Sequence, residues 1–300
     1  MTMSDEDADN LLLVEQAGDA NYFGGRALGS ANADAPGLSD ATMSPAAAPA
    51  KDRVFIEIDD LFRYLKAHKT LSGIQRVQAG IARYVMDHAS QPGATDYHFI
   101  VHAASPKEFL SLDRRKLREV IDYAVGPLVD HSRLIDLVDV AYAHARPVTP
   151  SAGQCYVILG AFWAYGGVAA RYADLKRAGV KTGVFLYDLI PVTHPEFCDA
   201  ALSHDFTRSM GDGLTIFDFI LTISENTAHE VRKFRNRYNL PATPVEAVPL
   251  AHVLLDHPGE IESGSGWGPN IAALKDTPFV LSVSTIEGRK NHVFLAAAWK

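Results

Sequence analysis

The sequence predicts an α/β protein built on a parallel, Rossmann-like sheet. Three observations carry that prediction. Short apolar runs rich in β-branched and aromatic residues recur between residues 53 and 250, they lack strict polar alternation, and segments of helical periodicity separate many of them. Strands buried on both faces read as continuous apolar runs. Strands that alternate with helices imply right-handed crossovers in one sheet.

The elements follow in chain order. Residues 1–50 hold eight carboxylates against the single cation Arg26, a net −7 of the chain's −8, in a background of Ala, Gly and Ser. Such a segment cannot bury enough apolar surface to fold and is expected to be a disordered acidic arm. Strands are expected at 53–59 (RVFIEID), 97–103, 155–160, 183–188, 217–224, 244–250 and 278–284. Asp59 and Asp60 are expected to cap the helix DLFRYLK that follows the first strand. A helix over 74–88 places Ile74, Val77, Ile81, Tyr84, Val85 and His88 on one face, with Ser72 and Gln75 as a capping box. Further helices are expected at 164–179 and at 225–238, the latter capped by Ser224. The Gly-, Ser- and Pro-rich stretch 256–270 reads as a linker. A strand and a helix then open what resembles a new unit, which cannot bury its own faces. The expected domains are therefore 1–50 (arm), 51–255 (one Rossmann-like domain), 256–275 (linker) and 276–300 (the first βα unit of a second, incomplete domain).

Composition excludes several classes. Hydrophobic residues make up 47% of the chain, enough for one or two cores. The body outside the acidic arm is near neutral, which argues against a nucleic-acid binder. Cys155 and Cys198 form neither a metal spacing nor a disulfide framework and read as small buried residues in a reducing compartment. No secretory leader is legible, and the apolar stretch 155–170 is too short and glycine-broken to span a bilayer, so a cytoplasmic protein is expected.

No GxGxxG follows the first strand and no Walker A motif occurs, which disfavours a dehydrogenase or a P-loop enzyme. Other loops carry candidate chemistry. Gly73 and Arg76 open the second helix, where a cation opposes the helix dipole unless an anion is bound. The alternative is a surface arginine paired with Asp59 or Asp60. Arg289 and Lys290 repeat the pattern in STIEGRKNH, where a diphosphate would satisfy both, or Glu287 would pair with them in its absence. Asp188 ends a strand and His194 follows in a Pro-bracketed loop, at the edge where open α/β sheets bind ligands. The pair could serve as base, orienter or partner to a sugar hydroxyl, or merely order the turn. Ser224 and Glu225 stand at the same edge.

Taken together, DDLFRYL…LSGIQRVQAGI, FLYDLIPVTHPEFC, ILTISENTAHEV and FVLSVSTIEGRKNHVFLAAAW resemble the group 1 glycosyltransferases, the retaining GT-B class of bacterial polysaccharide biosynthesis. The resemblance runs from about Arg53 to Lys300. It implies two Rossmann domains, no required metal or cofactor, and a nucleotide-sugar donor linked to GDP, UDP or dTDP. It implies transfer of a mannose- or rhamnose-type hexose to a saccharide or lipid-linked acceptor, with peripheral contact at the inner membrane. It places Arg289 and Lys290 on the donor diphosphate, Asp188 and His194 beside the acceptor as catalytic candidates, and Gly73, Arg76, Ser224 and Glu225 at the cleft. The sequence departs from the family at Ala251, where glycine is usual, at Gly288, where proline is common, and in lacking most of the donor domain. A non-catalytic fragment or degenerate copy that keeps the acceptor surface is the alternative.

Overall fold

A computed structural model describes residues 53–88, 95–103, 105, 108–164, 168–251 and 277–299. The expected acidic arm and linker lie outside these residues. The described residues fall in two compact units, 53–251 and 277–299.

The larger unit is an α/β domain. Its eight strands are β1 (Arg53–Glu57), β2 (Asp96–His102), β3 (Phe109–Ser111), β4 (Arg146–Val148), β5 (Cys155–Ile158), β6 (Lys181–Leu186), β7 (Phe219–Thr222) and β8 (Val245–Ala247). They form one sheet in the order β4-β3-β2-β1-β5-β6-β7-β8. All neighbours from β2 through β8 are parallel, while β3 pairs antiparallel with both β2 and β4. The sheet is thus parallel and Rossmann-like, as the apolar runs predict, with a two-strand antiparallel edge that they do not reveal.

Helices cover both faces. One face packs α1 (Asp59–Ala67), α2 (Gly73–His88), α3 (Arg114–Ala124) and α4 (His131–Ala143) against Ile56, Phe99, Val101 and Phe185. The other packs α5 (Val168–Arg177), α7 (Ala200–Ile216) and α8 (Glu225–Arg237) against Phe55, Ile100, Val184, Leu186 and Ile220. The short α6 (Ile190–Thr193) lies between β6 and α7. The period-two alternation of strands explains the split: Phe55 and Ile56 are neighbours in sequence yet serve opposite cores. Each large side chain fully buried in this way contributes about 1.5–3 kcal/mol. Asp113, Asp130, Asp199 and Ser224 cap α3, α4, α7 and α8 by accepting main-chain N–H bonds of the first turn. Gly183 of β6 is required by its neighbour, because a Cβ there would stand 2.2 Å from the Phe219 ring.

Four local expectations are corrected. Asp59 and Asp60 do not cap α1; its N-cap is Ile58, and both carboxylates are buried inside the first turn. Ser72 does not bond the Gln75 main chain, because its hydroxyl donates to the Gln75 side chain instead. The buried side of α2 includes Gln75 and Gln78, while Tyr84 and His88 stack on each other at the surface. Cys155 and Cys198 are free but only half-buried.

In the smaller unit the expected helix forms as α9 (His292–Ala298), preceded by a 3-10 turn at Gly288–Lys290. The expected strand at 278–284 is irregular coil, with Val280, Leu281 and Val283 exposed. A strand exists only where a neighbour completes its hydrogen-bond ladder, and none of the described residues does so here.

Candidate functional site at the strand-order reversal

The chain leaves β1 toward β2 on one side and returns to β5 on the other, so the strand order reverses between β1 and β5. In open α/β sheets the crevice beyond the carboxyl ends of two such strands is the usual ligand position, because the connecting loops diverge there. The residues at that point are Asp59 and Asp60 after β1, and Gly160 and Ala161 after β5.

Asp60 is the centre of the arrangement. Its Oδ2 accepts from Gln75 Nε2 at 2.8 Å and from Gln78 Nε2 at 2.7 Å, and the Ala161 amide adds a third bond. Both glutamines are fully buried. Burial raises the Asp60 carboxyl above its ordinary range, with the neighbouring Asp59 charge adding to the rise and the three bonds opposing it. Gly160 lets the two strand ends meet, since a Cβ there would stand 2.4 Å from Asp60 Cβ. Tyr187, at the end of β6, donates to the Leu159 carbonyl at 2.8 Å, and Thr227 of α8 donates to the Tyr187 carbonyl at 3.3 Å. The ends of β1, β5 and β6 and the openings of α2 and α8 are therefore joined by hydrogen bonds.

Directly beneath lies a buried ionic cluster. Glu57 ends β1 and turns toward the α5 face. Tyr156 donates to its Oε2 at 2.7 Å and Tyr172 to its Oε1 at 2.9 Å. His102 Nε2 forms an ion pair with Oε2 at 3.2 Å. Burial alone would raise the Glu57 carboxyl, but the charge and bond of His102, the Tyr156 bond and the Arg171 charge hold it below its ordinary value. Burial alone would lower His102, yet attraction to Glu57 and Asp59 raises it. Asp59 accepts from the His102 amide at 3.0 Å and pairs with Arg63 at 2.6 Å, which ties α1 to the end of β2. Burial pushes both tyrosine hydroxyls well up, so they remain donors.

The residues singled out from sequence are placed as follows. Gly73 opens α2 with open space where a Cβ would stand. Arg76 is exposed and, among the described residues, pairs with neither Asp59 nor Asp60 nor any other carboxylate. Asp188 follows β6 and accepts the Ile190 amide at 3.1 Å, ordering the start of α6. His194 is exposed and lies 3.3 Å from Glu196. Beside it Pro191, Pro195, Ser203, Arg208 and Tyr238 line a shallow groove of about 460 Å³. Ser224 is the α8 cap, and Glu225 is exposed next to it. No hydrogen bond or ion pair joins Arg76, Asp188 and His194 among the described residues. In the smaller unit Arg289 is ion-paired with Glu287. Burial would raise the Glu287 carboxyl, but bonds from Thr285 and Arg289 and the Lys290 charge outweigh it and lower it. The anion that two cations before α9 call for is thus supplied locally.

Sequence reasoning missed Glu57, His102, Arg171, Gln75 and Gln78 as functional candidates. The available signal was a charged or polar residue inside an otherwise apolar strand or helix face.

The fold defines an α/β protein of the doubly wound, Rossmann-like class. Neither a known family profile nor a solved structure matches the chain. Two curated proteins do, both described as the serotype-specific mannosyltransferase WbdA of Escherichia coli, each 24% identical over 133 residues. The match covers 42% of this chain and 16% of each relative, so the chain spans about a sixth of their length. Among the described residues no helix is long and apolar enough to cross a membrane.

Proposed function

We propose that this protein is a glycosyltransferase, or the acceptor-side portion of one. The observation that supports this reading best is a strand-order reversal ringed by buried polar side chains, in a chain similar to a mannosyltransferase. On this reading residues 51–255 form the acceptor domain of a retaining GT-B enzyme, and 276–300 open its donor domain. A hexose of mannose or rhamnose type passes from a nucleotide-sugar, linked to GDP, UDP or dTDP, to a saccharide or lipid-linked acceptor. Asp188 and His194 flank the acceptor as catalytic candidates. Gly73, Arg76, Ser224 and Glu225 line the cleft, and Arg289 and Lys290 hold the donor diphosphate. No metal or cofactor takes part. The enzyme works in the cytoplasm, with peripheral contact at the inner membrane.

The test is a panel of nucleotide-sugars and oligosaccharide acceptors with purified protein, read as nucleoside diphosphate release and as acceptor binding by NMR. Transfer from one donor supports the reading; absence of both release and acceptor binding defeats it. A second reading, acceptor binding without transfer, is favoured by the Glu287–Arg289 pair, which already neutralises a proposed donor ligand. Acceptor binding with no release from any donor would select it.

A further inference from the structure

We propose that Asp60 is a positioning residue that locks the α1–α2 loop (68–72) and the first turn of α2 onto the crevice between β1 and β5. This deepens the glycosyltransferase reading and rests on it for the reaction affected.

Two independent features of the packing point to the lock. The first is a chain of bonds. Ser72, the last residue of the loop, donates to Gln75 Oε1, and Gln75 Nε2 donates to Asp60 Oδ2. The end of the loop is therefore tied to α1 through Gln75. Gln78, one turn further along α2, bonds the same carboxylate oxygen. The second feature is Gly160. A Cβ at that position would collide with Asp60 Cβ, so the end of β5 has been left bare where Asp60 sits. The Ala161 amide then bonds the carboxylate from the β5 side. One buried charge thus fixes three things at the reversal point: the end of β5, the loop and the α2 entry.

What the lock positions is exposed. Gly73 and Arg76 stand on the first turn of α2, within the same turn as Gln75, and both face solvent. Arg76 has no carboxylate partner among the described residues. A small displacement of a group that meets substrate can cost about 10²-fold in rate. Asp60 itself is buried and acts through Gln75 and Gln78.

The experiment compares wild type, Asp60→Leu, Gly160→Ala and the conservative Asp60→Asn. Leucine keeps the bulk and removes every acceptor, whereas asparagine keeps one oxygen that can take both glutamine bonds. Thermal unfolding, amide hydrogen exchange and kcat/KM for transfer are read on each. The expected result is faster exchange confined to residues 69–76 in Asp60→Leu and Gly160→Ala, a fall in kcat/KM of about 10- to 100-fold, and recovery of most of both in Asp60→Asn. Uniformly faster exchange, with unchanged kcat/KM for the folded fraction, would make Asp60 a plain stability residue and overturn the proposal. Local exchange in Asp60→Asn as fast as in Asp60→Leu would overturn it as well. If wild type transfers no sugar, the functional reading fails on that result alone, while exchange at 69–76 still decides whether the lock exists.

Discussion

Replacing Glu57 by glutamine keeps its shape and removes its charge. In the folded chain Glu57 takes bonds from Tyr156 and Tyr172 and the charge of His102, all in the core beneath the crevice. Removing one partner of a buried ion pair typically costs about 3–5 kcal/mol, because the other partner is left uncompensated. For a domain of this size each kcal/mol shifts Tm by about 2–4 °C, so Tm should fall by about 6–20 °C. The pH dependence gives a sharper signature. The folded Glu57 carboxyl lies below its ordinary 4.5, so its contribution is complete above about that pH and is lost as pH falls through the lower folded value. The folded His102 lies above its ordinary 6.5, so its contribution is complete below about that pH and is lost as pH climbs through the higher folded value. Wild-type stability from this pair should therefore be greatest between about pH 4.5 and 6.5 and decline on both sides. Glu57→Gln should lower the whole curve and flatten both limbs. The assay is urea unfolding at pH 4 to 8, followed by far-ultraviolet circular dichroism. A loss under about 1 kcal/mol at pH 6, or a variant curve parallel to wild type, would refute the argument.

Further outcomes are expected elsewhere. Tyr156→Phe deletes one bond to a carboxylate and should cost about 1.5–3 kcal/mol in the same assay, and this cost should largely vanish in the Glu57→Gln background. Gly183→Ala forces a methyl into the Phe219 ring and should destabilise the domain by about 1–3 kcal/mol, measured as a lower urea midpoint at unchanged m-value. Ser224→Ala removes the α8 cap and should cost about 1 kcal/mol; any loss of acceptor binding that persists at full folding would mark it as a contact too. Arg289→Ala should weaken nucleoside diphosphate binding by about one to two powers of ten, from a charge-assisted bond of about 1.5–3 kcal/mol. Unchanged affinity by calorimetry would leave Arg289 as the partner of Glu287 alone.

The parallel strands were legible because burial on both faces leaves an uninterrupted apolar signature, and β1, β2, β5, β6, β7 and β8 all lie within the expected runs or shifted by one or two residues. The antiparallel edge was not. Phe109–Ser111 and Arg146–Val148 are three residues each, too short for a period of two to show. The helices α3, α4 and α7 are not among the expected elements, although Asp113, Asp130 and Asp199 stand at their starts as caps. The candidate site was legible in its loops and hidden in its foundations. Asp188 and Ser224 announce themselves by following apolar runs. Glu57 reads in sequence as the polar end of a strand, because only the fold brings two tyrosines and a histidine around it. Gln78 falls between Ile74 and Ile81 on the apolar side of α2, and Gln75 reads as part of a cap; neither names its partner, because Asp60 becomes adjacent only after α1 and α2 pack.

The two rims of the sheet have a consequence for assembly. Among the described residues the rim strands are β4, Arg146–Pro147–Val148, and β8, Val245–Glu246–Ala247, which is bracketed by Pro244 and Pro249. A polypeptide that tried to add itself to either rim would find three residues of backbone at most, with a donor missing within or next to them. The eight-stranded sheet is thus closed to growth by strand addition in both directions, although it is not closed into a barrel. Chains crowded together while being made or refolded meet at these rims first, and here each rim offers an intruder too short a purchase to hold.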